Sequence, residues 1–415
     1  MKQVLTRSLQ AVRSLSLRGD PERYGLSYAL GLACLVWLLA LPRFLHFHAQ
    51  CGFVYYQAGQ AFHNGLCPYF LPRPIDDTYK YSPTFAWMMQ FFSPLRPLIY
   101  EQMWVVLQAF LYLFGLFFLA QPAVFRGVDW FFILQPLVEA ENSLIGGQIN
   151  AMLGSLSVLS LRLYRQGYVI PSASLLTVLT NFKNYTGLLV LPFLLRSCER
   201  KRFWLGALAT AFVVVALPAL QLGWYQDVQW HGIWLTVLRR EASADGIFWG
   251  TFSLGRVFLQ WHWWTWAKWG PRLVLLLTFA GLVWKFPRDD QKPFPSHLDN
   301  LGWWSWMVFA FSGVLLWSPK TELATFVTVA PSFCLMGLSL HRLGHVFRWE
   351  LRGAVVAGIL MTYLHQWPRW FTLYLHCVIL KKGYWKFMAI LLLWGLAFHC
   401  LSKVRHLQAV AAASR

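Results

Sequence analysis

Four clusters of polar residues interrupt an otherwise apolar chain. The first is Asp76-Asp77-Thr78-Tyr79-Lys80-Tyr81-Ser82-Pro83. The second combines Glu139, Glu141 and Asn142 with Gly146-Gly147-Gln148-Ile149-Asn150. The third is Lys183-Asn184, and the fourth is Ser318-Pro319-Lys320-Thr321-Glu322. A charged side chain inside a bilayer is costly unless it faces a cavity or a partner, so in a membrane chain such residues are functional candidates by default. Each cluster also has a plainer reading. Asp76 and Asp77 fit a solvated loop as well as a catalytic one. Gly146, Gly147 and Ala151 fit close helix packing. Lys183 can snorkel to an interface, and Lys320 with Glu322 can form an ion pair at a turn. What favours a polar, ligand-holding cavity built from several helix ends is that all four clusters map to one depth in the topology derived next.

The composition dictates what must position these residues. Of 415 residues, 57% are apolar, 18% aromatic and only 13% charged, with 36 Lys plus Arg against 17 Asp plus Glu and a net charge of +19. Soluble domains carry about 25% charged residues. A soluble globular enzyme, a disordered chain and a cytosolic nucleic-acid binder are excluded, and an all-α polytopic membrane protein remains. At roughly 20 residues per span, the length accommodates on the order of ten to twelve helices in a single integral-membrane domain over 1–415. Basic residues mark cytoplasmic segments. Lys2, Arg7, Arg13, Arg18 and Arg23 place residues 1–23 inside, and the first span, near 24–42, then leaves residues 43–80 as the first extracytoplasmic loop. Further inside turns carry Arg162/Arg165, Arg196/Arg200/Lys201/Arg202, Lys285/Arg288/Lys292, Arg342/Arg348/Arg352 and Lys381/Lys382/Lys386. The positive charge therefore faces anionic lipid rather than nucleic acid.

Two segments depart from simple spanning. Residues 168–181 and 183–196 are too short to cross alone, and they read as a helix pair meeting near the outer face at Lys183. Residues 223–269 form an extracytoplasmic interfacial stretch. Its Trp261, Trp263, Trp264, Trp266 and Trp269 suit headgroup depth, as an ordinary aromatic belt would. No CxxC occurs, and His46 and His48 read as interface side chains, so no metal site is expected.

In these segments the sequence resembles the integral-membrane glycosyltransferases of the GT-C fold, and more closely glycosyltransferase family 87, the polyprenyl-phosphate-mannose-dependent mannosyltransferase type. Val54-Tyr55-Tyr56-Gln57-Ala58-Gly59 followed by Gly65-Leu66-Cys67-Pro68-Tyr69 matches the family's first outer loop. Tyr79-Lys80-Tyr81-Ser82-Pro83 with Ser93-Pro94-Leu95 matches its Tyr-x-Tyr-x-Pro element. Gly147-Gln148-Ile149-Asn150 matches its Gly-Gln-x-Asn helix start, Lys183 its Lys-centred hairpin, and Ser318-Pro319-Lys320-Thr321-Glu322 its late turn. The ordered series over residues 50–335 carries the resemblance. One departure stands out. The family's catalytic Asp falls three residues before Val54, where this chain has Cys51, and no Asp or Glu occurs between Glu22 and Asp76.

The resemblance implies transfer of a sugar, mannose by analogy, from a polyprenyl-phosphate donor to a lipid or glycan acceptor at the outer face, with membrane lipids as surroundings and no separate cofactor. It makes Lys80, Lys183 and Lys320 phosphate-binding candidates, and Gln148 and Asn150 candidates for sugar hydroxyls. Tyr55, Tyr79 and Tyr81 would stack on the sugar or line the lipid groove, with Glu322 beside Lys320. For the proton acceptor the order is Asp76 and Asp77, then Glu141, with Glu139 and Glu322 behind. Cys51 is a poor substitute, because an unperturbed thiol is mostly protonated. Two alternatives stay open. One is a catalytically altered family member that binds lipid-linked glycans. The other is a polytopic transporter or flippase, although the chain shows no related halves.

Overall fold

The structure is a computed structural model that describes residues 50–70, 79–119, 128–241, 254–260, 262–287, 297–318, 323–363 and 383–413. All regular structure among the described residues is helical. Among the described residues, three helices are long and apolar enough to cross a bilayer: Pro97–Leu116, Arg200–Leu222 and Lys386–Ala411. Arg200–Leu222, at about 1.5 Å per residue, rises roughly 35 Å, more than the ~30 Å hydrocarbon core. Its Leu205, Leu208, Phe212, Val213 and Leu220 are exposed, which is the face a lipid-contacting helix must show.

The chain divides into two compact units. The first comprises residues 24–119 and 140–246, and among its described residues it carries α1 (Gln50–His63), α2 (Pro83–Met89) and α3 (Pro97–Leu119). The helix α4 (Val128–Ile145) supplies its last residues to this unit. Then follow α5 (Asn150–Arg165), α6 (Val169–Phe182), α7 (Gly187–Arg196), α8 (Arg200–Leu222) and α9 (Trp224–Glu241). Residues 50–63 of the segment read as the first outer loop are thus helix. Tyr55, Tyr56, Ala58 and Phe62 are buried on α1. They join an aromatic core with Tyr69, Tyr79, Tyr81, Phe85, Trp104 and Phe182. Tyr55 meets Tyr81 edge-on at 4.8 Å and Phe85 at 5.2 Å, and Phe85 meets Phe182 at 5.1 Å. Such edge-to-face geometry fixes ring orientation as well as burying area.

Local chemistry sets where these helices start. Ser82 caps α2, its hydroxyl accepting from the Phe85 amide at 3.2 Å and donating to Asn181 Oδ1 at 2.5 Å, while Pro83 occupies the first turn. Small residues allow close approach elsewhere. A Cβ on Gly115 of α3 would collide with Ser155 of α5, whose hydroxyl donates to the Tyr112 carbonyl at 2.5 Å. Between α6 and α8, Thr210 donates to Ser174 at 2.7 Å.

The second unit comprises residues 1–23, 120–139 and 247–415. After the first part of α4, its described helices are α10 (Leu254–Gln260), α11 (Trp264–Trp284), α12 (His297–Trp317), α13 (Ala330–Leu343), α14 (Arg348–Gly358) and α15 (Gly383–Ala413). Nearly every side chain of α12 is buried, as a helix apolar all round requires. Trp263, Trp264, Trp266 and Trp269 are exposed around the start of α11. One contact here corrects the charge map. Lys386, grouped with Lys381 and Lys382 in a cytoplasmic turn, is buried, and its ammonium lies 2.7 Å from Glu139 Oε2. The charge-derived topology puts Glu139 in the outer half of the membrane. The two residues share one depth, so those two assignments cannot both stand.

Candidate functional site

Two of the four polar clusters converge in the first unit, and a third contributes its tyrosines. The glycine pair of the second cluster is the hinge. Gly147 has φ +65°, a left-handed conformation that suits glycine. Its N–H donates to the Leu144 carbonyl at 3.0 Å and the Gln148 N–H to the Ser143 carbonyl at 2.8 Å, the paired bonds of a Schellman stop for α4. The Gly147 carbonyl accepts from Trp104 Nε1 at 2.9 Å and Gln108 Nε2 at 3.0 Å. The chain is thereby locked as it turns into α5, and Gln148 and Asn150 are presented at that helix's first turn.

Lys183 ends α6. Its extended backbone (φ −139°, ψ 115°) breaks the helix before the short 3₁₀ turn Asn184–Thr186 and α7, so two half-helices meet at this residue. Thr186 donates to the Lys183 carbonyl at 2.8 Å and steadies the break. The ammonium of Lys183 donates to Asn150 Oδ1 at 2.7 Å, and the Tyr185 hydroxyl donates to the same oxygen at 3.2 Å. Asn150 Nδ2 in turn donates to Gln148 Oε1 at 2.6 Å. Lys183 also lies 5.7 Å from the ring centroid of Tyr81 and 5.6 Å from that of Tyr185, within cation–π range.

The tyrosines form the adjoining wall. The Tyr55 and Tyr81 hydroxyls are 2.6 Å apart, Tyr69 donates to the Tyr81 carbonyl at 2.8 Å, and Tyr79 donates to the Ser82 carbonyl at 3.0 Å. Burial pushes the Tyr55 hydroxyl well above the usual tyrosine pKa, with Tyr81 adding to the rise, so it stays protonated and acts through hydrogen bonds. Cys51 lies on the first turn of α1, packed against the aromatic core, and its N–H donates to the Gly146 carbonyl at 3.2 Å. The position expected to carry the catalytic Asp therefore borders the Gly-Gln-x-Asn turn.

The arrangement suits one class of ligand. An ammonium oriented by an amide can hold an anion, two amides can bind hydroxyls, and aromatic faces can cover a sugar ring. Among the described residues no three His, Cys, Asp or Glu side chains gather as a metal set. The family model for glycosyltransferase family 87 matches residues 79–298, more than half of the chain. The chain belongs to glycosyltransferase family 87. Tyr79, Tyr81, Gln148, Asn150 and Lys183 fall inside the matched region, and Cys51, Tyr55 and Lys320 fall outside it. No curated protein and no solved structure matches this family 87 chain.

Not every candidate is brought into the cluster. Lys80 is half-buried, and its backbone carbonyl accepts from Trp234 Nε1 at 3.0 Å. Asp76, Asp77, Lys320 and Glu322 lie outside the described residues, as does the side chain of Glu141. Glu139 belongs to the second unit, where it is committed to Lys386 and to Thr362, 3.3 Å away. Sequence reasoning missed Tyr185, Asn181 and Trp234 as members of the cluster's surroundings. Tyr185 was visible as the aromatic two positions after Lys183, whereas Trp234 lies in the 223–269 stretch, whose interfacial reading rested on other tryptophans.

Proposed function

We propose that this glycosyltransferase moves a sugar, mannose by analogy with its family, from a polyprenyl-phosphate donor to a lipid or glycan acceptor. The N-terminus is cytoplasmic and the site faces the extracytoplasmic side of the membrane. The observation that carries the reading is the chain of contacts from Gln148 through Asn150 to Lys183 and on to the ring of Tyr81. It joins three sequence-distant motifs into one constellation.

In this reading Lys183 holds the donor phosphate and gains strength as negative charge builds on the leaving group. Lys80 adds to the phosphate field. Gln148 and Asn150 bind sugar hydroxyls, and Tyr55, Tyr79 and Tyr81 form the wall of the sugar and lipid groove. The acceptor oxygen attacks the anomeric carbon and gives up its proton to a base, the new C–O bond forms, and the bond to phosphate breaks with its electron pair on polyprenyl phosphate. From sequence order alone, Asp76, Asp77 and Glu141 are the carboxylates available to take that proton.

The test is transfer of radiolabelled mannose from polyprenyl-phosphate mannose in proteoliposomes, with wild type and Lys183→Ala compared. The expected result is transfer by wild type and a loss of about 100-fold or more in the variant. A second reading, a glycan-binding member without turnover, is favoured by Cys51 alone. Donor binding with no transfer by wild type, together with transfer by Cys51→Asp, would establish it.

A further inference from the structure

Helix α9 carries a stripe at i, i+3, i+4 and i+7: Asp227, Trp230, His231 and Trp234. These positions share one helix face. Trp230 meets Phe62 edge-on at 5.3 Å, and Trp234 Nε1 donates to the Lys80 carbonyl, so this face is fastened to the aromatic core and to the Tyr79–Tyr81 element. His231 stands between the two tryptophans with its side chain 15% exposed.

Its Nδ1 lies 3.0 Å from the backbone carbonyl oxygen of Asp227 and 3.2 Å from Asp227 Oδ1. A carbonyl oxygen can only accept, so Nδ1 carries the hydrogen and Nε2 of the neutral ring holds a lone pair. Nε2 is buried and, among the described residues, has no hydrogen-bond partner. The Asp227 side chain is 1% exposed, and burial pushes its carboxyl pKa up while His231 draws it back down. A buried acceptor without a donor is destabilising. The donor that a sugar acceptor would bring is a hydroxyl.

We propose that His231 Nε2 is the general base of the transfer and that Asp227 is its positioning residue. The proposal rests on the glycosyltransferase reading above, and it supplies the base that Cys51 does not. The acceptor hydroxyl proton passes to Nε2. The oxygen forms its bond to the anomeric carbon, and the anomeric carbon–phosphate oxygen bond breaks with its electron pair on the leaving polyprenyl phosphate. The imidazolium formed is stabilised by the Asp227 carboxylate 3.2 Å from Nδ1.

The experiment uses the full chain in proteoliposomes, with polyprenyl-phosphate mannose as donor probe and octyl α-mannoside or total membrane lipid extract as acceptor probe. Donor binding and transfer are measured separately. His231→Ala should lose transfer by about 100-fold or more, bind donor as wild type does, and recover part of the lost rate when imidazole is added. His231→Gln should lose transfer without recovery, and Asp227→Asn should fall between wild type and His231→Ala. Transfer by His231→Ala within about threefold of wild type would overturn the proposal, as would lost transfer that imidazole does not restore. Donor binding without transfer by wild type would overturn it too and leave the donor site standing. A wild type that neither binds nor transfers overturns the glycosyltransferase reading itself.

Discussion

The two units each hold a lysine away from bulk water, and they treat it in opposite ways. In the second unit Lys386 and Glu139 have side chains only 1% and 2% exposed, and they close on each other at 2.7 Å, with Thr362 completing the carboxylate's partners. In the first unit Lys183 is half-buried at a helix break and is aimed by Asn150, an amide that fixes direction and adds no charge. A buried ion pair neutralises itself and makes a structural pin. In the proposed function, the ammonium at the helix break, oriented by an amide, meets the donor's phosphate. Burial of a lysine alone therefore does not mark a site; the chemistry of its partner does.

The comparison can be broken most forcefully in the second unit. Lys386→Ala strands a buried carboxylate and should destabilise the protein by about 3–5 kcal/mol, read as a fall in thermal unfolding temperature in detergent. The double variant Lys386→Met/Glu139→Leu should recover most of that loss, because a well-packed apolar pair replaces a self-neutralised one. A double variant as unstable as the single one would mean that the pair does more than pin α4 to α15. In the first unit the pattern should invert. Lys183→Ala should unfold close to the wild-type temperature and lose transfer by about 100-fold, equivalent to roughly 3 kcal/mol of transition-state stabilisation.

Smaller effects sharpen the same contrast. Gly147→Ala forces a Cβ into the left-handed region and should cost about 1–2 kcal/mol, with a matching drop in transfer because Gln148 and Asn150 are presented by that turn. Tyr55→Phe removes one hydroxyl from the pair with Tyr81 and should cost about 1 kcal/mol of stability.

Much of the first unit was legible in the sequence, because its motifs act over short distances. Gly147 announces a helix stop and Asn150 follows three residues later at a helix start. Lys183 divides two apolar runs too short to span, and the structure breaks the helix at that residue. The long-range pairings were not legible. Lys386 lies 247 residues after Glu139, and grouping it with its neighbours Lys381 and Lys382 by charge gave the wrong kind of environment. The Asp227–His231 pair was hidden for another reason. It sits in a stretch whose tryptophans satisfied an interfacial reading, and only the helical register shows that Trp230 and Trp234 face the core with His231 between them.

The most direct test of the donor site is the rate of mannose transfer from polyprenyl-phosphate mannose by reconstituted wild type and Lys183→Ala, each shown to be folded by its unfolding temperature. Transfer by wild type with about a 100-fold loss in the variant is the expected result. Equal rates in the two proteins would contradict the assignment of Lys183, and with it the constellation built on Asn150 and Gln148.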